Sequence, residues 1–388
     1  MTFQSKLPDV GTTIFTVMSR LATEHHAINL SQGFPDFDAD PRLLSLVSEA
    51  LHAGHNQYAP MPGLPELCRA IGEKTLHDYG WSPDPETEIT VTAGGTQGLY
   101  SIIGAMIGSG DEVIVLEPTY DSYIPSVISF GGVVKAIQLK SPDYRIDWDE
   151  VEALITSRTK LIMTNTPHNP CGVVLSSQDL TRLEEIVVRH GIYLISDEVY
   201  EHLIFDGLKH ESALRYPELY KRSFVVFSFG KSLHVTGWKI GYVIAPPELT
   251  KEFRKIHQFN VFSVNRPIQL AIAQYMNEHA DFAALSAFYQ QKRDMFIHLM
   301  DGLPLNFLRC HGSYFILADY SEASSMDDLS FAKKLTIEGG VATIPLSPFY
   351  KDGSSEKIVR FCFAKKESTL VEAASRLRNY FNTGASLS

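Results

Sequence analysis

The chain has 388 residues, of which 44% are hydrophobic and 20% are charged, which is typical of a globular protein of two or three domains. Its formal net charge of −11 argues against a nucleic-acid partner, and no run of about 18 apolar residues predicts a membrane span. The N-terminus has no signal-peptide pattern and the four cysteines form no C-x-x-C pair, so we expect a cytoplasmic protein without a metal site.

The middle of the chain alternates short runs of β-branched residues with longer amphipathic stretches. Five of these runs are predicted to be buried strands: Ile89–Thr92 and residues 112–116, 161–165, 192–196 and 224–228. Helical patterns lie between them, among them residues 97–107 and Ser177–His190. Strands that alternate with helices are typical of βαβ units. We therefore predict an α/β fold with a mostly parallel sheet.

The last third of the chain has a different pattern. Residues 281–300 are predicted to be a long helix, residues 313–318 and 357–363 are predicted to be strands, and helical spacing of apolar residues returns near the C-terminus. We predict a large domain over residues 45–280. A smaller α+β domain is predicted from residues 10–44 together with residues 281–388.

Polar and aromatic residues follow each predicted strand of the large domain. In an open α/β sheet, ligands bind beyond the carboxyl ends of the strands. The residues that follow the strands are a glycine turn at residues 93–98, Tyr120, Asn169, Asp197, Tyr200, Ser228 and Lys231. Alone, each has an ordinary explanation: the turn matches neither common phosphate motif, Asp197 could cap a helix, and Lys231 could be a surface lysine.

One ligand would use all of these groups together. A glycine turn before a helix binds phosphate, and an aromatic side chain can cover a flat ring. A carboxylate suits a protonated ring nitrogen, and an amine suits an aldehyde. The combination predicts pyridoxal 5'-phosphate as the cofactor.

The segment SFGKSLHVTGWKIGY at residues 228–242 resembles the cofactor-linking segment of class I, fold type I, pyridoxal-phosphate-dependent aminotransferases. Other motifs of that family follow in the same order: NQYAPMPG at 56–63, EPTYDSY at 117–123, NTPHNP at 165–170, SDEVYE at 196–201 and VRFCFAKKESTL at 359–370. The resemblance extends from Leu30 to the last helix. LSQGFPDFD at 30–38 and CFAKKESTL narrow it to the branch of methionine and kynurenine aminotransferases.

The resemblance implies roles for the residues around the cofactor ring. Lys231 would hold the cofactor covalently and shuttle the substrate proton. Asp197 would pair with the ring nitrogen, Asn169 and Tyr200 would donate to the phenolate oxygen, and Tyr120 would stack on the ring.

The cofactor phosphate would be bound by a second group of residues. The resemblance assigns it to the backbone amides of Gly95, Thr96 and Gln97, to the Ser228 hydroxyl and to Lys239. Many relatives have an arginine where this chain has Lys239, so the phosphate would meet a point charge without bidentate geometry.

The resemblance also implies how substrate is bound. Arg360 would hold the α-carboxylate in a bidentate pair, and the backbone of Gly33 would approach the same group. Tyr58 would reach the active site of a neighbouring subunit, which implies a homodimer with its sites at the interface.

The expected reaction moves an amino group from an amino acid to a 2-oxo acid in two half-reactions. Phe15, Tyr58, Tyr123 and Phe262 are predicted to line an apolar substrate pocket, which favours methionine and other uncharged or aromatic donors. Arg266 lies nearby in the sequence, and its position relative to the pocket is left open.

Three other functions fit parts of the sequence. A carbon–sulfur β-lyase would use the same scaffold on cysteine conjugates. A regulator of this fold would need a DNA-binding segment for which no residues are spare. A nicotinamide-dependent oxidoreductase would need a dinucleotide fingerprint that the glycine turn lacks.

Overall fold

The computed structural model describes residues 4–278, 282–354 and 356–383, and three β-sheets lie within these ranges. The strands are β1 (Ile28–Asn29), β2 (Ile89–Thr92), β3 (Glu112–Glu117), β4 (Val133–Gln138), β5 (Thr159–Asn165), β6 (Tyr193–Asp197), β7 (Ser223–Ser228), β8 (Gly241–Ile244), β9 (Asn306–Phe307), β10 (Phe315–Asp319), β11 (Val341–Ala342), β12 (Ile344–Pro345) and β13 (Ile358–Cys362).

Helices separate most of these strands. They are α1 (Ile14–Glu24), α2 (Pro41–His52), α3 (Pro65–Tyr79), α4 (Gly95–Met106), α5 (Tyr123–Ser129), α6 (Trp148–Ala153), α7 (Ser177–His190), α8 (Pro217–Tyr220), α9 (Phe229–Ser232), α10 (Pro247–Asn260), α11 (Arg266–Glu278), α12 (Ala283–Leu299), α13 (Asp328–Ile337) and α14 (Glu367–Asn382). None of the described helices is long and apolar enough to cross a membrane.

The central sheet has seven strands in the order β2-β8-β7-β6-β5-β3-β4. The neighbours from β7 to β4 pair in parallel, while β8 runs antiparallel to both β7 and β2. The mostly parallel α/β sheet predicted from the sequence is therefore confirmed.

Both faces of the central sheet are buried. Successive residues of β3 point to opposite sides: Val113 and Val115 pack in a cluster with α4 and α10, while Ile114 and Leu116 join the larger core that includes α7. Helices on both sides explain why these strands are almost continuously apolar, since neither face meets water.

A second layer joins the two ends of the described chain. The antiparallel sheet β12-β13-β10-β9 lies beside the parallel pair β1 and β11, and the Cys362 amide donates to the Leu30 carbonyl at 2.8 Å. These contacts tie the N-terminal segment to the C-terminal third. The predicted division into residues 45–280 and residues 10–44 with 281–388 stays a prediction: the boundary at 280 lies outside the described residues, and the one at 45 falls within α2.

The predicted bounds of β2 and α7 match the structure, and those of the other four predicted central strands differ by one or two residues. Two strands of the sheet were not predicted. The edge strand β4 is only partly buried and gives no strong apolar run, whereas β8 is a short buried strand whose apolar residues directly follow the family motif.

Candidate active site

The carboxyl ends of the parallel strands open onto one cavity. Because β8 runs antiparallel, its amino end lies at this same edge and brings Lys239 to the strand ends of its neighbours. All predicted cofactor-binding residues except Gln97 line the cavity: Gly95, Thr96, Tyr120, Asn169, Asp197, Tyr200, Ser228, Lys231 and Lys239.

Lys231 lies on α9, directly after β7. Its Nζ atom donates a hydrogen bond of 2.8 Å to the hydroxyl of Tyr314 and lies 5.4 Å from the centre of the Tyr200 ring. Burial, assisted by the nearby charge of Lys239, lowers the pKa of Lys231 to about 8. An amine with this pKa is partly neutral near physiological pH, so it can act as a nucleophile and as a proton acceptor.

Tyr314 was not predicted as a site residue. Its hydroxyl accepts from Lys231 and donates at 2.5 Å to the carbonyl of Gly33. In the sequence Tyr314 lies in a predicted apolar strand, where a tyrosine is most simply read as a core residue. Only the packing shows that its polar end reaches Lys231.

Asp197 is 4% exposed and forms no ion pair with any described residue. Its carboxylate accepts from the Tyr123 hydroxyl at 2.5 Å and from the Val199 amide at 3.3 Å. Burial raises the pKa of Asp197 to about 6, against the opposing effect of these hydrogen bonds. A buried carboxylate without a cation is costly, and a protonated ring nitrogen would supply that cation.

The position of Tyr123 differs from the predicted one. The sequence predicts its side chain in the substrate pocket, but the ring is buried and its hydroxyl donates to Asp197. Tyr123 therefore supports the carboxylate.

The glycine turn is shaped for an anion. Gly94 has φ 81° and α4 begins at Gly95 without a side-chain cap, so the first amides of the helix are available to a ligand. Close packing keeps the turn in place: a Cβ atom on Gly241 would lie 2.5 Å from the Phe227 carbonyl oxygen and 3.1 Å from the Gly95 nitrogen. The Thr96 hydroxyl lies 3.3 Å from that of Tyr120.

The side chain of Gln97 is bonded behind this turn. Its amide oxygen accepts from the Ala93 amide at 3.0 Å, and its amide nitrogen contacts Ser101 Oγ at 2.8 Å and His257 Nδ1 at 3.2 Å. Only the main chain of Gln97 is left for the predicted contact with phosphate.

Arg360 is 1% exposed, and no carboxylate of the described chain lies within ion-pair distance of it. It donates to Asn169 Oδ1 at 2.8 Å and to the Ser31 carbonyl at 3.0 Å, and its Nε atom is buried without a partner. The Phe315 ring centre lies 3.8 Å from the guanidinium carbon. Burial lowers the pKa of Arg360 to about 10, so the side chain stays charged and can bind an anion.

The other two predicted substrate-binding residues are Gly33, which packs against the Phe315 ring, and Tyr58, which lies on the surface. A Cβ atom on Gly33 would come within 2.4 Å of the Phe315 ring, so only glycine lets the two segments approach. Tyr58 does not line the cavity of its own chain. Its side chain is 77% exposed and packs edge-on against Phe262, with ring centres 5.1 Å apart.

Together these residues fit pyridoxal phosphate. The uncapped start of α4 and Lys239 suit its phosphate, the unpaired carboxylate of Asp197 suits its ring nitrogen, and Lys231 supplies an amine. The sequence model of "Aminotransferase class I and II" matches residues 25–377. The chain belongs to this family.

Three relatives show how far the similarity extends. Methionine aminotransferase of Escherichia coli K12 is 50% identical over 376 residues, which are 97% of each chain. A Mycobacterium tuberculosis protein named as an N-succinyldiaminopimelate aminotransferase is 36% identical, covering 96% of this chain and 97% of its own. Kynurenine–oxoglutarate transaminase of Dictyostelium discoideum is 33% identical, covering 95% of this chain and 94% of its own.

A crystal structure of the E. coli methionine aminotransferase superimposes with a TM-score of 0.94 at 49% identity, covering 98% of this chain and 100% of that one. The predicted family, its fold type I architecture and its dependence on pyridoxal phosphate are thereby confirmed for this aminotransferase.

Asp197→Asn should separate activity from stability. Burial raises the pKa of Asp197 from 3.8 to about 6, so the folded protein holds this proton more tightly than the unfolded chain does. The cost of burying the charge therefore appears as the pH rises from about 4 and is complete above about 6. We expect the cofactor-free variant to be more stable than wild type at pH 7.5, by on the order of 3 kcal/mol, and the difference to shrink at pH 5.

Unfolding in guanidinium chloride at the two pH values measures this difference in stability. The transamination rate of the variant should fall to a small fraction of the wild-type rate. Asp9→Asn, at an exposed position, is the matched control and should change neither property. A variant with wild-type turnover would contradict the assignment of Asp197 to the ring nitrogen.

Proposed function

We propose that this aminotransferase, acting as a cytoplasmic homodimer, takes its amino group from methionine and other uncharged or aromatic amino acids and passes it to a 2-oxo acid. The single observation that carries the proposal is the buried, unpaired guanidinium of Arg360, which stands among aromatic rings. Similarity to a methionine aminotransferase over nearly the whole chain supports the same substrate class.

The surroundings of Arg360 suit an amino acid with an apolar side chain. Besides Phe315, the rings of Phe15 and Phe349 lie 5.2 and 5.4 Å from its guanidinium carbon, and these two rings pack edge-on with centres 5.8 Å apart. An α-carboxylate would supply the missing negative charge, while the rings would contact an uncharged chain.

Arg266 starts α11 and is not among the residues that line the cavity, although its Nε atom is buried without a partner within the described ranges. Arg360 is not among those lining residues either, but no hydrogen bond or ring contact of the described chain joins it to Arg266, which supports a site without a second arginine for a distal carboxylate. Phe262 is exposed beside Tyr58, so these two predicted pocket residues would contribute only to the site of a neighbouring subunit.

When bound, pyridoxal phosphate supplies an electron sink that weakens the bond to the substrate α-hydrogen. Lys231 has a pKa near 8 and is held by the Tyr314 hydroxyl, so it can take up this proton and return it. Asn169 accepts from Arg360 through its Oδ1 atom, which leaves its amide nitrogen to donate toward the cavity. Arg360, which would orient the substrate carboxylate, is thus hydrogen-bonded to Asn169, which would bind the cofactor.

An exposed aromatic patch supports the proposed dimer. Tyr58, Phe259 and Phe262 are 77%, 87% and 52% exposed, although side chains of this kind are usually covered. A second copy of the chain would cover them and bring Tyr58 to the neighbouring site. No contact within the described chain favours the carbon–sulfur lyase over transamination.

Borohydride should attach the cofactor to Lys231. The purified holoenzyme, reduced and digested, should yield one pyridoxyl-labelled peptide that contains residues 228–242. Peptide mass spectrometry identifies the modified residue. Lys365→Met is the control, since this buried lysine donates to the Phe34 carbonyl and does not line the cavity. The Lys365→Met variant should carry the same label on Lys231 as wild type does. Label on a different lysine, or no label, would refute the assignment.

Mixed dimers should recover activity. Tyr58→Ala removes the residue proposed to serve the neighbouring site, and Lys231→Ala removes the catalytic amine. Hybrids of the two inactive variants contain one site with both wild-type residues, so mixing should restore up to about half of the activity per hybrid. Steady-state assays of the mixture test this. Full activity in a strictly monomeric fraction would exclude the shared site.

Aspartate should be a poor donor compared with methionine. Burying its distal carboxylate without a partner costs at least about 2 to 3 kcal/mol, so kcat/KM should be on the order of a hundredfold lower. A panel of amino donors with one common 2-oxo acid measures the ratio. If aspartate proved the better donor, the apolar-site argument would be wrong, and Arg266→Gln would show whether that arginine is responsible.

A further inference from the structure

A buried polar connection lies behind the glycine turn that faces the cavity. Gln97 accepts from the Ala93 amide at one end of its side chain and contacts His257 Nδ1 at the other, at 3.0 and 3.2 Å. His257 belongs to the last turn of α10, which packs against α4. The turn is therefore held from behind by a side chain that reaches a second helix.

The direction of the hydrogen bond between the two side chains is set by chemistry. His257 is fully buried and stacks on Phe253 with ring centres 5.4 Å apart, and burial lowers its pKa to about 4. Its imidazole is therefore neutral at physiological pH. Because the amide nitrogen of Gln97 can only donate, His257 accepts at Nδ1 and carries its proton on Nε2.

His257 also reaches the exposed aromatic patch. Its carbonyl oxygen accepts from the amides of Val261 and Phe262 at 2.9 and 3.4 Å, in the turn that ends α10. Phe262 has φ 66°, and its ring packs against Tyr58. One residue thus contacts Gln97 through its side chain and shapes the Phe262 turn through its main chain.

A parallel contact strengthens the same link. Asn260 Nδ2 donates to Ser101 Oγ at 3.2 Å, and this hydroxyl also accepts from Gln97 at 2.8 Å. Ser101 is fully buried on α4. Two hydrogen-bonded routes therefore join the first turns of α4 to the end of α10.

We propose that Gln97 and His257 are positioning residues that fix the amides binding the cofactor phosphate and tie them to the surface turn that carries Phe262 and contacts Tyr58. The inference rests on the proposed function, in which phosphate occupies the start of α4 and Tyr58 serves the neighbouring subunit. Gln97 then acts through its side chain on Ala93, and breaking its bond to His257 loosens the amides without removing any of them.

The test measures binding of pyridoxamine 5'-phosphate to the cofactor-free protein, because this ligand forms no covalent link to Lys231. His257→Phe should weaken binding about fivefold, the effect of one hydrogen bond, and Gln97→Leu, which also removes the bonds to Ala93 and Ser101, should weaken it at least as much. The double variant should bind no more weakly than Gln97→Leu, since that change already breaks the bond between Gln97 and His257. Additive losses, or wild-type affinity in both variants, would overturn the proposal.

Matched variants separate positioning from general damage. His257→Asn offers an acceptor oxygen near the position of Nδ1 and should retain most of the affinity for pyridoxamine 5'-phosphate. This variant keeps the test possible if His257→Phe fails to fold. Gln178→Leu makes the same change in the first turn of α7, at an exposed position, and should bind as wild type does. Pyridoxamine, which lacks the phosphate, should bind equally well to Gln97→Leu and to wild type. If Gln97→Leu lost as much affinity for pyridoxamine as for pyridoxamine 5'-phosphate, the effect would not be exerted through the phosphate.

Hydrogen exchange tests the link to the surface turn. Pyridoxamine 5'-phosphate should slow exchange of the Val261 and Phe262 amides in wild type, and this protection should be lost in Gln97→Leu. Equal protection in both proteins would overturn the link. If the wild-type protein does not bind pyridoxamine 5'-phosphate, the proposed cofactor site is wrong. Unchanged affinity in the variants would instead contradict only the positioning role of Gln97 and His257.

Discussion

Two charged side chains, Asp197 at the carboxyl edge of the central sheet and Arg360 on β13, are buried without an ion-pair partner among the described residues, although Lys231 and Asp121 act on them at longer range. Burial without a counter-ion is costly, and it shifts both pKa values toward the neutral form. The surrounding fold must hold these groups in place while leaving them unpaired. The protonated ring nitrogen of the cofactor would pair with Asp197, and the substrate carboxylate would pair with Arg360. Binding energy would thus act close to the reacting atoms.

Neutral contacts hold both groups. Tyr123 and a backbone amide donate to Asp197, while Arg360 donates to Asn169 and to a carbonyl and lies over an aromatic ring. Neutral partners fix the orientation of a charge without cancelling it. A carboxylate beside Arg360 would instead compete with the substrate for the same guanidinium.

A group of buried charges next to the site is arranged differently. Glu201, one residue after Tyr200, is bonded to Lys74, which also meets Asp78, with both ion pairs at 2.9 Å. Burial alone would raise the pKa of Glu201, but the combined effect of Lys74, His202 and Tyr79 outweighs it and holds this pKa well below its usual range. Ion-paired charges thus support the segment that follows β6, whereas Asp197 and Arg360 have no ion-pair partner among the described residues.

The sequence by itself determined the fold class, the family, the cofactor and most residues of the cavity. Strand ends can be read from apolar runs, and in a parallel sheet these ends must lie together at one edge, so Asp197, Ser228 and Lys231 could be grouped without coordinates. Lys239 came from the resemblance alone, because it precedes β8, and in a parallel sheet the residues before a strand would lie at the opposite edge.

Only the tertiary structure decided which way the side chains point and what each one contacts. Tyr314 reaches Lys231 and Tyr123 reaches Asp197, while Gln97 turns from the cavity toward His257, 160 positions along the chain. Periodicity places a residue on a face of a strand or helix, whereas the partner of its polar end depends on packing between segments that are distant in sequence. The burial that shifts the pKa values of Lys231, Asp197 and Arg360 likewise exists only once the layers have packed.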